Sequence, residues 1–255
     1  MHLSLSATFM DSSVIAAASG IRSRMESLDL LANNLANSGT AGYKSDQEFY
    51  GVFTSADAES AGDAPASTMP MIQRQWTDFS QGTLQVTGSP MDVALSGSGF
   101  FVVNGKSGPL YTRNGSLQAL PSGELATADG YPLRSADGGT IHVASSQPIE
   151  ISTDGSVQQG GQSRGRIDVV SFKSTDSLIK AGNTCFQNSD PKNQPVAAAN
   201  VEVQQGKLEG SNVPVAEAAM RLVGVMRQFE MLQKAVGVSG EMDTKTIQEV
   251  ARVGS

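Results

Sequence analysis

Apolar positions near the start of the chain recur at alternating steps of three and four residues, the spacing of one face of an α-helix. This first seam predicts a helix that begins near residues 11 to 13 and ends near Asn37, because Gly39 and Gly42 can adopt the positive φ angles that end a helix. Residues 1 to 11 are expected to be poorly structured. The first seam consists of Val14, Ala18, Ile21, Met25, Leu28, Ala32 and Leu35.

A second seam with the same spacing lies near the carboxy terminus. Asn212 is predicted to cap this helix, and Pro214 lies in its first turn, where the missing amide costs nothing. The seam loses phase beyond Gly237 and Gly240, although a helix is still expected there. The second seam consists of Val215, Ala218, Leu222, Val225, Phe229, Leu232 and Val236.

The outward face of the first helix carries small and amide side chains, among them Asn33, Asn34 and Asn37, in place of the Glu and Lys of a solvated helix. This composition predicts that both sides of the helix are packed and that the amides bridge subunits by hydrogen bonds. The two terminal helices are predicted to pair as a coiled-coil-like core, and neighbouring copies are predicted to supply the burial that a lone pair lacks.

The middle of the chain changes to short β-rich runs between turn residues. Runs at 84–86, 91–95, 100–103, 110–112, 141–143, 149–152 and 166–172 predict strands. Five Asn-Gly or Asp-Gly pairs, which begin at Asn104, Asn114, Asp129, Asp137 and Asp154, favour two-residue hairpin turns. The pattern predicts an α+β fold, with a central, antiparallel, hairpin-rich β domain between two helices.

Composition shifts divide the chain into four segments. Residues 1–53 are predicted to form the amino-terminal helix and a connector, and residues 54–70, rich in Ala, Ser, Asp, Gly and Pro, a linker. The β domain is predicted over 71–199 and the carboxy-terminal helical segment over 200–255. The apolar patch at 45–53 has no clear period and predicts no regular element.

Charge and cysteine content exclude several classes of function. The net charge is −7 and no run of Lys or Arg occurs, so nucleic acid and anionic membranes are not expected partners. The single Cys185 has no Cys or His at metal-ligand spacing, and we expect neither a metal nor a cofactor. No segment approaches the ~18 apolar residues of a membrane span, and a cleaved signal peptide is not expected.

Candidate catalytic groups have simpler explanations in the sequence. His142 lies in an alternating strand pattern, and Asp129 and Asp154 belong to turns. A secreted β-rich carbohydrate-active enzyme is an alternative, and it would require two converging carboxylates in the β domain, drawn from these two and from Asp92 and Asp168. A phage-tail or adhesin-like fibre subunit would share the assembly logic. We expect a protein that is not an enzyme.

Motifs in three separate parts of the chain carry a family resemblance. The first comprises Leu31-Ala-Asn-Asn-Leu-Ala-Asn37 and Thr40-Ala-Gly42-Tyr43-Lys44; the central one Asp92-Val-Ala-Leu-Ser-Gly-Ser-Gly-Phe-Phe101, Tyr111-Thr-Arg-Asn-Gly-Ser116 and Asp129-Gly-Tyr-Pro132; the last Leu208-Glu209-Gly-Ser211-Asn212-Val213 and Arg227-Gln-Phe-Glu230. In this order they resemble the signatures of the bacterial flagellar rod and hook family. Two details depart from the family pattern, namely about ten extra residues before the first helix and Gly39 in place of a polar residue.

The resemblance implies a structural subunit that leaves the cytoplasm through the flagellar export apparatus and stacks helically with rod subunits and copies of itself. It implies a location in the basal body, in the rod that crosses the periplasm. The size and the single β domain favour a rod subunit over the hook subunit. The wording of the last motif favours the proximal rod, with the distal rod as the alternative.

Overall fold

A computed structural model describes residues 3–54, 68–144, 147–182 and 184–253. Two long helices flank the strands, α1 (Leu3–Ala36) and α2 (Val215–Val253). The strands are β1 (Asp46–Thr54), β2 (Thr68–Thr77), β3 (Leu84–Val86), β4 (Val93–Ser96), β5 (Phe100–Gly105), β6 (Gly108–Thr112), β7 (Leu117–Ala119), β8 (Leu125–Thr127), β9 (Ile149–Ile151), β10 (Ser156–Gln159), β11 (Gln162–Arg166), β12 (Val169–Ser171), β13 (Leu178–Lys180), β14 (Cys185–Asn188), β15 (Val196–Ala197), β16 (Glu202–Gln205) and β17 (Lys207–Glu209). The α+β class is confirmed.

Helix α1 ends where the sequence predicts but begins much earlier. Its last residue is Ala36, next to the predicted Asn37, whereas its first is Leu3 rather than a residue near 11 to 13. The expectation that residues 1 to 11 are poorly structured is therefore wrong from Leu3 onward. No Gly or Pro occurs between Leu3 and Ser19, and Leu, Ala and Met favour the helix, so nothing in this stretch ends it.

Helix α2 is continuous across the predicted phase break, because Gly237 and Gly240 both lie inside it. Its first intrahelical bond runs from Ala218 N to Pro214 O, at 2.9 Å. Asn212 does not cap it: Asn212 Oδ1 accepts from Ser45 N, and Nδ2 donates to Asp78 O. The capping prediction is wrong because these distant backbone groups engage both ends of the amide.

A two-stranded sheet, β1–β2, occupies a part of the chain for which we predict no strand. Strand β1 covers the aperiodic patch at 45–53, and β2 includes residues 68–70 of the predicted linker. Residues 55–67 of that linker lie outside the described residues. The order of apolar and polar residues over 45–53 shows no alternation with period 2, so the sequence gives no strand signal here.

The remaining strands form an antiparallel assembly with its own core. A six-stranded sheet has the order β13-β14-β6-β5-β12-β15, and β11-β10-β9 form a second sheet. Strand β4 pairs with β16, β3 with β17 and β7 with β8. All the predicted strands are found except 141–143, where His142 makes only an isolated bridge to Glu124.

Two apolar clusters fill this assembly. The larger gathers fully buried side chains such as Val93, Leu95 and Phe101 with Ile141 and Val157. The smaller is aromatic, and in it Phe79 contacts Phe186 edge to face with ring centroids 4.9 Å apart. Strand alternation places residues of β5 in both clusters, Phe101 and Val103 in one and Phe100 and Val102 in the other.

Three of the five predicted turn pairs lie in tight turns. Gly130, Gly138 and Gly155 have φ angles of 84°, 91° and 83°, which L-residues rarely adopt. The other two predictions are wrong in detail. Gly105 pairs with Gly108, so the β5–β6 turn consists of residues 106 and 107, two residues later than predicted, and Asn114-Gly115 joins two strands that do not pair.

The chain divides into two compact units. The helical unit comprises residues 1–35, 46–76 and 214–255, and the β unit comprises 36–45 and 77–213. Compared with the predicted segments, 36–45 and 200–213 fall in the β unit, and the described residues of the β1–β2 sheet up to 76 fall in the helical unit. Terminal sequence motifs thus contribute to the β unit itself.

Candidate functional site

Residues 36–45, which begin at the last residue of α1, are called the connector. The connector lies against residues 207–213, called the closing segment, which contain β17 and the residues that follow it. Gly42 N donates to Glu209 O at 2.7 Å, Asn212 N donates to Tyr43 O at 3.4 Å, and Ser45 N donates to Asn212 Oδ1 at 2.8 Å. The amino-terminal and carboxy-terminal motifs of the resemblance therefore meet in one place.

A buried ion cluster formed by Lys44, Arg113 and Glu209 lies at this meeting point. Lys44 Nζ is 2.6 Å from Glu209 Oε1, and Arg113 Nη1 is 3.1 Å from Oε2. The side chains of Lys44 and Glu209 are 0% exposed and that of Arg113 is 4% exposed. Each residue comes from a different motif, so the cluster joins all three parts of the resemblance.

Further hydrogen bonds reach these charges, although the buried Nε of Arg113 has no hydrogen-bond partner among the described residues. Gly82 N donates to Glu209 Oε1 at 2.9 Å, Lys44 Nζ donates to Ser80 O at 2.6 Å, and Arg113 Nη2 donates to Gly97 O at 2.7 Å. The guanidinium also lies 5.4 Å from the ring centroid of Phe100. Buried charges require such partners, because each ion loses its hydration on burial.

The cluster holds two cations and one carboxylate. Burial lowers the pKa of the Lys44 ammonium below its ordinary 10.5, with the Arg113 charge acting in the same direction, while Glu209 opposes the shift. Burial likewise lowers the pKa of the Arg113 guanidinium, again opposed by Glu209. Glu209 is therefore the group that makes two neighbouring buried cations tolerable.

Gly42 permits the close approach of the connector. Its φ is +69°, and a Cβ added there would lie 2.3 Å from Asn114 N and 2.5 Å from Arg113 C, both backbone atoms. Only glycine fits this combination of left-handed backbone and contact. Gly39, by contrast, has nothing within 4 Å of an added Cβ.

The other motif residues of the connector, and Ser211 of the closing segment, also have structural partners. Tyr43 is 1% exposed, and Lys180 Nζ lies 4.2 Å from its ring centroid and 3.2 Å from its hydroxyl. Thr40 Oγ1 donates to Asn37 Oδ1 at 3.3 Å, in the turn that follows α1. Ser211 Oγ accepts from Val213 N at 3.3 Å.

Within the helical unit, α1 is joined to β1 by polar side chains. Asn34 Nδ2 donates to Asp46 O at 2.8 Å and its Oδ1 accepts from Asp46 N at 3.0 Å, so the amide binds the strand as a backbone partner would. Ser27 Oγ lies 2.7 Å from both carboxylate oxygens of Glu48. Asn33 is exposed. The subunit-bridging role of these amides stays a prediction.

The seams occupy positions of unequal exposure. The buried side of α1 is formed by Ser23, Ser27, Leu31 and Asn34, and the first seam runs beside it. In the first seam Ile21, Leu28 and Leu35 are half-buried, whereas Ala18, Met25 and Ala32 are exposed; Val14 lies outside the described side chains. In the second seam Ala218 is buried, Leu222, Val225, Phe229, Leu232 and Val236 are half-buried, and Val215 is exposed. A Cβ added to Gly20 would lie 3.6 Å from Leu232 Cδ1, so the helices approach each other there.

Three of the four carboxylates considered for glycoside hydrolysis have side-chain or turn partners. Asp154 accepts hydrogen bonds from the Ser156 amide and hydroxyl in its own turn, and Asp168 lies 3.7 Å from Arg134. Thr184 Oγ1 donates to Asp129 at 3.5 Å, and the backbone of Asp92 forms an isolated β-bridge with Ser116. Trp76, a residue of β2, is 48% exposed.

Other kinds of site find no support in the described ranges. His, Cys, Asp and Glu side chains there form no group of three that could hold a metal ion. Neither α1 nor α2, over its described residues, combines the length and apolarity of a membrane span. Cys185 is a buried free thiol whose pKa is raised to about 11 by burial.

Arg113 is the functional residue that sequence reasoning missed. It stands inside the central motif, but the motif alone gave no reason to single out its charge. Lys44 and Glu209 are predicted only as motif positions, and they lie 165 positions apart. The usable signal is that the segments 40–44, 111–116 and 208–213 each hold one charged residue among small, apolar, aromatic, hydroxyl and amide side chains.

Two family models match the chain in the regions that build this site. A Flagellar hook protein FlgE/F/G D1 domain matches residues 94–159, and a Flagellar basal body rod FlgEFG protein C-terminal domain matches residues 204–249. The first covers most of the β unit's central strands, and the second includes Glu209 and Asn212.

Similar proteins match along nearly the full length. The flagellar basal-body rod protein FlgF of Caulobacter vibrioides is 27% identical over 96% of this chain and 100% of its own. FlgG of Bacillus subtilis is 28% identical over 90% and 96%, and FlgF of Escherichia coli is 29% identical over 89% and 93%. The domain models and these relatives agree in kind: along nearly its full length, the chain is similar to flagellar basal-body rod proteins.

Proposed function

We propose that this chain is a structural subunit of the flagellar basal-body rod, which polymerises helically to form part of a hollow drive shaft. The observation that carries the proposal is the match with FlgF of Caulobacter vibrioides, which covers 96% of this chain and the whole relative. The structure supplies a physical reason for a match of that extent, since residues from the first, central and last motifs share one buried cluster.

Assembly uses the terminal helices. The second seam and a separate group of exposed apolar residues lie on roughly opposite sides of α2, given 3.6 residues per turn. This second group comprises Met220 (70% exposed), Val223 (49%), Met231 (61%) and Val238 (56%). A helix that is apolar on both sides is stable when both sides are covered, and neighbouring subunits supply the second cover.

In this proposal the seam residues pack between the helices of one subunit and its neighbours, as in a coiled coil. Phe229 and Leu28 can make such contacts with a neighbouring subunit, because each is only half-buried in the single chain and keeps some exposed apolar surface. The neighbours are copies of this chain and other rod subunits. The chain reaches the periplasm through the flagellar export apparatus without a cleaved signal peptide, and acts there without catalysis.

Within the rod we place the subunit proximally. The residue sequences of the Leu208–Val213 and Arg227–Glu230 motifs favour this position. FlgG relatives at 28% identity keep the distal rod as the alternative.

Electron microscopy of basal bodies tests the position. A strain of the source bacterium that lacks the gene should show rods that are missing or cut short near the inner membrane. Rods that stop farther out would favour the distal position. Intact rods and hooks would contradict a role in the rod.

Complementation tests the helical seam. Leu28→Asp and Phe229→Asp each place a charge on a seam, so neither variant should restore rods or motility, while circular dichroism of each purified full-length variant should show the β signal of wild type. Gln228→Asp is the matched control, because Gln228 is the exposed neighbour of Phe229 and receives the same side chain. Normal motility with Phe229→Asp would refute the seam assignment.

A further inference from the structure

Strands β3 and β4, at the start of the β unit, pair with β17 and β16 near its end. Val93 to Ser96 of β4 pair with Gln205 to Glu202 of β16, and Leu84 to Val86 of β3 pair with Glu209 to Lys207 of β17. Val93, Ala94 and Leu95 are each 0% exposed, so this pairing also closes part of the core. The early strands are therefore incomplete until residues 202–209 are in place.

The connector depends on the same late segment. Its amides at Gly42 and Ser45 donate to Glu209 O and Asn212 Oδ1, and its carbonyl at Tyr43 accepts from Asn212 N. These hydrogen bonds tie residues near the start of the chain to residues more than 160 positions later, as the separation of 165 between Lys44 and Glu209 shows. Contacts of that range form late, because closing a long loop costs entropy before any contact is gained.

Docking of the connector depends on Glu209 because two cations are buried together. When the connector docks, Lys44 is brought into a dry site beside Arg113, and the two like charges repel. Glu209 is the carboxylate within 3.1 Å of both cations. Without it, docking would bury two adjacent cations, an arrangement that buried sites do not tolerate.

We propose that Glu209 acts as a closing latch: the amino-terminal connector docks only after the carboxy-terminal strands, and Glu209 with them, have joined the β unit. The docked state therefore requires residues 202–213. This inference rests on the proposed function for its use: a subunit in transit through the export apparatus stays open and closes after its carboxy-terminal part has arrived. The latch itself is a property of the isolated chain.

Hydrogen exchange of the purified full-length chain tests the latch. Glu209→Gln should lower the protection of the Gly42 and Ser45 amides at least about ten-fold, while the β10–β11 amides stay within about two-fold of wild type. Adding Lys44→Met to this variant should restore part of the connector's protection, because it removes one of the two stranded cations. Glu202→Gln, an exposed substitution on β16, is the matched control and should change nothing.

Two outcomes would overturn the proposal. One is unchanged connector protection in Glu209→Gln; the other is that Lys44→Met deepens the defect of Glu209→Gln instead of relieving it. If Glu209→Gln alone does not fold, the comparison is made between the double variant and Lys44→Met, where the remaining loss at Gly42 and Ser45 should again exceed that in β10–β11.

Pulse labelling during refolding of the wild-type chain tests the order of events. The connector amides and those of β3 and β17 should become protected in one kinetic phase, not before the β5–β6 hairpin. Protection of the connector ahead of β17 would refute the latch. These readouts use the monomer, so a failed latch leaves the rod assignment untouched, and an intact rod in the gene deletion would leave the latch standing.

Discussion

Replacing Gly42 by alanine should undock the connector without altering any charge. An alanine Cβ would lie 2.3 Å from Asn114 N and 2.6 Å from Asn114 Cα, far inside the ordinary contact distance of about 3.5 to 4 Å. Backbone atoms cannot swing away as the end of a side chain can. The connector would therefore have to retreat by about 1 Å or more.

The expected loss of stability is the sum of three effects. The φ of +69° costs alanine about 1 kcal/mol relative to glycine. Retreat weakens the 2.7 Å bond from Gly42 N to Glu209 O, at about 1 kcal/mol. Loosening the Lys44–Glu209 contact adds at least about 1 kcal/mol, since breaking a buried pair outright costs about 3 to 5 kcal/mol. We expect Gly42→Ala to lower the free energy of unfolding of the β unit by about 3 kcal/mol or more.

Urea unfolding followed by circular dichroism in the β-sheet region measures this loss, with linear extrapolation to water. Gly39→Ala is the matched control in the same connector, because nothing lies within 4 Å of the added Cβ and its φ is not in the positive range. We expect the control to remain within about 0.5 kcal/mol of wild type. Equal stability of the two variants would refute the docking of the connector against Asn114.

Three further outcomes can be measured. Burial lowers the pKa of Lys44 below 10.5, so the unfolded chain binds more protons than the folded chain in the pH range just below 10.5. The unfolding free energy of wild type minus that of Lys44→Met should therefore rise with pH in this range. A flat or falling difference in urea titrations would contradict the lowered pKa. Cys185, with its pKa raised to about 11, should react with maleimide at pH 8 only after unfolding, and rapid labelling of the native chain would show that the thiol is accessible. Asn34→Ala removes both hydrogen bonds to the Asp46 backbone and should speed exchange of the Asp46 amide about ten-fold, whereas Asn33→Ala, at an exposed neighbour, should not.

Local patterns in the sequence predict part of the β unit. Strands β3, β4, β5, β6, β9 and β12 follow from alternation and turn residues, and α2 follows from its seam. The sequence analysis predicts no strand at β16 and β17, whose partners, β4 and β3, lie more than a hundred residues earlier in the chain. It also predicts none at β7, β8, β10, β11, β13, β14 and β15, because these strands have only two to five residues and β11 contains no large apolar side chain.

Residue type alone predicts the wrong role for a side chain whose hydrogen-bond partner lies far away in the sequence. Asn212 has the composition of a helix cap, yet its amide binds Ser45 and Asp78, since buried backbone groups of the connector need partners more than a helix end that solvent can reach. The start of α1 was missed for the opposite reason. Capping residues near 11 to 13 look like a beginning, but nothing before them breaks a helix.

The family resemblance and the buried cluster explain each other. Lys44, Arg113 and Glu209 stand in separate motifs, and each is tolerable in the dry site only with the others: the carboxylate needs a cation, and the cations need the carboxylate. A substitution at one position is penalised by the two that remain, so the three must be kept or replaced together. Motifs far apart in the chain therefore act as one physical unit. Gly42 belongs to the same unit, because without its contact the connector cannot bring Lys44 within reach of Glu209.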